Sequence, residues 1–166
     1  MEFGKNRLTA HQIITDWRLF LAFGFGSGLS PKGPGTAGTL AAIPIYLLLF
    51  FLGEQIYLLA TVVICMSGVW ICQYAADKLG VHDFGGIVWD EIAGYLVTML
   101  FIPFSWTAVF MGFLLFRIFD IFKPWPISVL DKELGGGLGI MLDDLLAGFF
   151  SWVVLMVMVS LGFLPQ

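Results

Sequence analysis

Four stretches of this chain contain no Asp, Glu, Lys, Arg or His: Thr36 to Leu52, Gln55 to Ala76, Ile92 to Phe116 and Leu145 to Leu164. A helix needs about 20 residues to cross the hydrocarbon core of a bilayer, with a working range of about 17 to 25. The first, second and fourth stretches therefore read as single membrane spans. Apolar residues make up 59% of the chain and charged residues 12%, against about 25% charged in a soluble domain. That much apolar surface cannot be hidden in water by a chain of 166 residues, so lipid must solvate part of it. The length suits one domain covering residues 1–166.

The third stretch constrains the topology most. As one straight helix it would hold Asp90 and Asp120 about 45 Å apart, on opposite membrane faces. Pro103-Phe104-Ser105-Trp106 argues against that, supplying a helix breaker, a capping serine and an interfacial tryptophan. A helical hairpin turning there returns Asp120 to the side of Asp90. Its arms are short, so they would tilt or lie partly in the headgroup layer. Upstream, Trp17 to Leu29 is apolar but too short to cross, contains Gly24, Gly26 and Gly28, and runs into the breaker-rich loop Ser30–Gly35. It reads as an interfacial or re-entrant helix. The expected fold is an all-α polytopic membrane bundle of about four to five membrane helices, plus that short N-terminal helix.

Charge tests the hairpin independently. With it, one face collects the N-terminus, Ser30–Gly35, Asp77–Asp90 and Lys123–Asp144, and all eight Lys and Arg residues lie on that side, counting Arg117 at its helix end. The other face holds Glu54, the Pro103 turn and the C-terminus. By the positive-inside rule the charged face is cytoplasmic. Met1 to Asp16 is polar and lacks an apolar core followed by a small-residue cleavage site, so no signal peptide is expected and the N-terminus is expected to stay in the cytoplasm.

A net charge of −4 offers no basic stripe, and no nucleic-acid partner is expected. Cys65 and Cys72 match neither a CxxC pair nor a zinc site and read as buried structural thiols. The acids are another matter. Asp77, Asp83, Asp90, Glu91, Asp120, Asp131, Glu133, Asp143 and Asp144 all fall on the charged face, several beside apolar residues at helix ends. Ionisable groups at such depth cost several kcal/mol unless paired or bound to a cation. An oxygen-only donor set points to a hard ion, Mg²⁺ first, with Asp90, Glu91, Asp143 and Asp144 as the ligand candidates. The alternative is that they are solvated helix-end residues favoured by the helix dipole.

Asp90-Glu91-Ile92-Ala93-Gly94 and Asp144-Leu145-Leu146-Ala147-Gly148 share the spacing D-x-x-A-G. The small pair lies one turn below each aspartate on the same helix face, so a neighbouring helix can approach closely there. Arg117, Asp120 and Lys123 recur every three residues, on one helical stripe. Two cations flanking an acid suit a phosphate beside a metal, Arg through its forked donors and Lys as a point charge. Snorkelling with an intrahelical ion pair explains the same stripe. In the loop Ser27 to Thr36, glycines permit close backbone approach and the next helix offers free N–H groups, so Ser27, Lys32 and Thr36 are further phosphate-binding candidates. The GK[ST] ending of a P-loop is absent. His82, beside Asp83, is a candidate general acid or base.

Taken in order, four segments resemble the phosphatidylglycerophosphatase A family: Gly24–Pro31 with Pro34–Thr36, Val81–Asp83 with Ile87–Glu91, Phe116–Asp120 with Lys123–Ile127, and Gly139–Gly148. The resemblance runs from about residue 20 to 150. It implies a multi-pass, Mg²⁺-dependent enzyme of the bacterial inner membrane. That enzyme would convert the membrane lipid phosphatidylglycerophosphate to phosphatidylglycerol and inorganic phosphate on the cytoplasmic face. On that reading Asp90, Glu91, Asp143 and Asp144 hold metal, Arg117 and Lys123 neutralise phosphate, and Asp120 orients Arg117 or completes the metal shell. Attack by water and an aspartyl-phosphate on Asp83 or Asp90 both stay open. Lys32 lies in a segment that varies within the family, which weakens it as a phosphate ligand. A phosphatidyltransferase is disfavoured because its spaced D-G…A-R…G…D…D pattern is absent. An ion-binding transporter or scaffold is the non-enzymatic alternative, and the spans offer it little beyond Cys65, Ser67 and Thr98. Nothing in the sequence sets an oligomeric state.

Overall fold

A computed structural model describes residues 2–81, 84–129 and 134–164. The expectation of an all-helical membrane bundle holds. Among the described residues, three helices are long and apolar enough to cross: α3 (Pro34–Leu52), α4 (Glu54–Leu79) and α7 (Gly136–Ser160). Between α4 and α7 lie α5 (Trp89–Thr98) and α6 (Trp106–Phe122).

These two form the expected hairpin. Ser105 caps α6, its Oγ accepting from the Ala108 amide at 3.0 Å, and Tyr95 of α5 donates to the Val109 carbonyl of α6 at 3.1 Å. The break comes earlier than Pro103 suggests, because α5 already ends at Thr98 and the chain turns through Phe101 at φ 59°. Carbonyls freed by that early ending meet aromatic donors. Tyr57 Oη reaches Leu96 O at 2.7 Å and Trp152 Nε1 reaches Leu100 O at 2.8 Å, as a backbone away from water requires.

Nine of the ten residues of α5 are buried. It is the central helix, packed against α3, α4, α6 and α7, whereas Leu59, Val63 and Met66 of α4 face outward. Outward apolar side chains belong against lipid, so the bundle is a membrane protein by the surface it shows.

Two expectations need correction. The last span was placed at Leu145–Leu164, but α7 begins at Gly136 and ends at Ser160. The glycine run before it looks like loop, yet Gln73 of α4 accepts from the Gly137 amide at 2.7 Å and satisfies one exposed N–H of the helix start. Trp17–Leu29 is not one helix. It is a short α2 (Trp17–Ala22) followed by a 3₁₀ segment, Gly24–Leu29, with Phe25 and Gly26 at positive φ.

The polar N-terminus is ordered. Glu2–Phe3 (β1) pairs antiparallel with Leu8–Thr9 (β2), and α1 (Ala10–Thr15) follows with a Thr9/Gln12 capping box. Asn6 donates to the Leu79 and Lys78 carbonyls at the end of α4. Asp16 accepts from Tyr74 Oη at 2.6 Å, while Arg18 lies 3.8 Å over the Tyr74 ring. Burial works against the Asp16 carboxylate, but the bonds from Tyr74 and Arg18 outweigh it and hold its pKa below the usual value.

Candidate active site

The seam between α5 and α7 sets the site. A Cβ on Gly94 would stand 2.7 Å from the Asp144 carbonyl oxygen, and one on Gly148 would strike the Gly94 carbonyl. The Thr98 hydroxyl lies within reach of both the Gly94 and Gly148 carbonyls, at 2.9 and 3.3 Å. The repeated D-x-x-A-G spacing thus brings the two backbones together at their glycines, and the acids one turn above are forced side by side. Asp90, Glu91 and Asp144 each place one carboxylate oxygen within 4.8 Å of the others. They are only 8, 9 and 3% exposed.

Cations arrive from α6. Arg117 Nη1 is 2.5 Å from Asp120 Oδ2 and 4.0 Å from Glu91 Oε1, and it approaches Thr39 Oγ1 of α3 at 3.5 Å. Lys123 forms an ion pair with Asp143 through Nζ and Oδ2. Lys123 itself closes α6 in a left-handed conformation, since Pro124 cannot continue the helix.

These groups line one cavity of about 310 Å³, together with Gly33, Pro34, Gly35, Gly85, Ile87, Ile121, Leu134, Gly139 and Ile140. So the structure gathers seven of the residues singled out from sequence: Asp90, Glu91, Arg117, Asp120, Lys123, Asp143 and Asp144. Asp143 is set apart from the carboxylate trio by its pairing with Lys123. Ser27, Lys32 and Thr36 do not line the cavity. The Ser27 hydroxyl donates to the Gly24 carbonyl at 2.8 Å, and Lys32 and Thr36 are exposed. His82, Asp83, Asp131 and Glu133 lie outside the described residues.

The loop contributes backbone instead. A Cβ on Gly35 would strike Glu91 Oε1 and stand 3.1 and 3.2 Å from the Arg117 terminal nitrogens, so glycine is what lets α3 start against the site. Thr39 was not picked out from sequence. It is fully buried, donates to the Gly35 carbonyl at 3.0 Å and backs Arg117. Its one signal was its place a turn beyond Gly35, on the same helix face.

Among the described residues, five carboxylates here face two cations, and crowded carboxylates repel unless a cation neutralises them. Asp120 and Asp144 interact side chain to side chain, as do Asp90 and Glu91. Glu91 Oε2 and Asp144 Oδ2 are buried with no hydrogen-bond partner among the described residues. Buried acceptors without donors, all of them oxygen, fit a hard divalent cation. Arg117 Nε is likewise buried without a partner among the described residues, a donor facing an acid-rich pocket.

Fold and site together define a membrane-embedded protein with a buried acidic centre able to hold a metal ion beside two basic groups. The chain belongs to the phosphatidylglycerophosphatase A family, which it matches over residues 20–159. It is 47% identical to the phosphatidylglycerophosphatase A of Escherichia coli strain K12 over 151 residues, 90% of this chain and 86% of that one. With the Haemophilus influenzae phosphatidylglycerophosphatase A it shares 45% over 136 residues, 81% of this chain and 83% of the other. A Bacteroides thetaiotaomicron protein named as a candidate phosphatidylinositol-3-phosphatase is 38% identical over 147 residues, 84% of this chain and 91% of its own. No solved structure matches the chain.

Proposed function

We propose that this chain is a Mg²⁺-dependent lipid phosphatase that hydrolyses phosphatidylglycerophosphate to phosphatidylglycerol and inorganic phosphate. The observation that carries the proposal is the convergence of three buried carboxylates beside Arg117 and Lys123 in one cavity. The names of its relatives in Escherichia coli and Haemophilus influenzae support the substrate. The charged end of the bundle faces the cytoplasm of a bacterial inner membrane, on the strength of the positive-inside distribution.

Asp90, Glu91 and Asp144 are the residues that would hold Mg²⁺. When bound, the ion supplies charge neutralisation and Lewis-acid polarisation at the phosphoryl group. Arg117 offers its guanidinium edge, including the Nε that has no partner among the described residues, to phosphate oxygens. Asp120 fixes that guanidinium through the 2.5 Å contact, and Thr39 backs it from α3. Lys123 contributes a second positive charge, shared with Asp143. Gly33 and Gly35 let the phosphate approach backbone closely. Burial of the trio strengthens each of these interactions by lowering the local dielectric.

The test is phosphate release from phosphatidylglycerophosphate by purified protein in detergent, with and without Mg²⁺, for the wild type and Asp144→Ala. Release that requires Mg²⁺ and disappears in the variant supports the reading. Folded wild type that releases no phosphate with any divalent metal sinks it and favours an ion-binding transporter or scaffold. Release of a nucleotide from a CDP-lipid instead identifies a phosphatidyltransferase.

A further inference from the structure

The phosphate of a lipid substrate can reach the carboxylates, but its acyl chains cannot follow into a small pocket lined by seven charged side chains. Each methylene taken out of lipid and placed there forfeits about 0.8 kcal/mol of apolar burial. The chains must therefore leave the cavity through a wall that faces the bilayer. Of the residues lining the cavity, Gly33, Gly85 and Ile121 are exposed. The two glycines sit on loops at the polar end. Ile121 is the exposed side chain among the described lining residues, at 64%.

Ile121 belongs to two faces at once. Arg117 and Asp120 look into the cavity from α6, while Ile118, Ile121 and Phe122 look outward at 49, 64 and 77% exposure. The polar and apolar stripes adjoin on the last turns of one helix, because residues three and four apart share a face. Trp125, 80% exposed, continues the apolar surface just past the helix end. A headgroup seated on Arg117 would have its glycerol backbone beside Ile121 and its chains along Phe122 and Ile118.

We propose that the lipid substrate reaches the site laterally from the bilayer past Ile121, with the outer face of α6, Ile118–Phe122, as its acyl-chain track. This rests on the lipid-phosphatase reading above and adds the substrate's route and the residues that select a long-chain lipid. The rim is thus a specificity element, separate from the groups that touch phosphate.

The experiment compares kcat/KM for dioleoyl and dihexanoyl phosphatidylglycerophosphate, the first in mixed micelles and the second as free monomer. The proteins are the wild type, the double variant Ile121→Ser/Phe122→Ser, Ile121→Trp, and Leu59→Ser as a control. Leu59 is 66% exposed on α4, an element that contributes no residue to the cavity lining. The double variant is expected to lower the dioleoyl-to-dihexanoyl ratio about tenfold, equivalent to about 1.4 kcal/mol. Ile121→Trp, which narrows the opening, lowers the ratio in the same direction, and Leu59→Ser leaves it at the wild-type value. An unchanged ratio in both Ile121 variants, with both substrates still hydrolysed, overturns the lateral route while the phosphatase reading stands. An equal fall in Leu59→Ser also overturns it, because the stripe would then be acting only as a bilayer anchor. A wild type that hydrolyses neither substrate overturns this proposal together with the reading it rests on.

Discussion

The bundle carries a cavity at each end, and the larger one is the poorer in chemistry. Near the start of α5 the 310 Å³ pocket is lined by five acids and two bases. At the opposite end about 430 Å³ is enclosed by Phe50, Glu54, Tyr57, Met99, Phe101, Ile102 and Pro103. Among the described residues the far cavity is lined by one carboxylate, and Glu54 is exposed, so it is solvated at little cost. The near cavity buries its acids between two helices that touch at glycine. Space is common where helices end unevenly. What separates the two ends is charge held out of water where two helix backbones meet at glycine.

The comparison breaks first at Asp144. Asp144→Ala is expected to reduce phosphate release by on the order of 1,000-fold, with helical content by circular dichroism unchanged, and chelation of divalent metal should match that loss in the wild type. Retention of more than a tenth of the activity would mean that the near cavity is no more chemical than the far one.

Gly35→Ala probes the same cavity without touching a charge. The added methyl must push Glu91 or Arg117 aside, and displacement of reacting groups by about 1 Å costs about 100-fold. The loss should appear mainly in kcat, with the midpoint of thermal unfolding little changed.

Gly148→Ala asks whether the seam is what makes the near end different. Here the methyl meets the Gly94 carbonyl, and overpacking of this kind costs about 1 to 3 kcal/mol. Detergent unfolding followed by tryptophan fluorescence should show that loss, accompanied by weaker Mg²⁺ protection against unfolding. The smallest effect belongs to the far cavity. Glu54→Gln should leave activity within about twofold of wild type, since exposed substitutions lie within about 0.5 kcal/mol. A larger drop in the steady-state assay would give the far cavity a role.

Much of this was readable from residues alone. Pro103 and Ser105 announced the hairpin, and the repeated D-x-x-A-G announced the helix contact, because both depend on short-range rules. The start of α7 was not readable, since its first turn is stabilised by Gln73, 64 residues away in sequence. Which loop residues line the cavity was not readable for a related reason. Sequence displays side chains such as Ser27, Lys32 and Thr36, whereas the loop residues lining the cavity are Gly33, Pro34 and Gly35, and which way that backbone faces is a tertiary fact. Thr39 hid inside a span, where a threonine bonded to its own helix is ordinary.

A helix of ten residues, about 15 Å long, is half the thickness of the hydrocarbon layer. Helix α5 is therefore too short to enter a membrane as an independent unit, and two of the three clustered acids, Asp90 and Glu91, ride on it. It has to be carried in with α6, as one inserted hairpin. Even then the Leu96 carbonyl needs Tyr57 from α4, already made, and the Leu100 carbonyl just past α5 waits for Trp152 from α7, made later. The acidic centre is accordingly completed only when the final span arrives, so a chain interrupted before α7 carries no finished site.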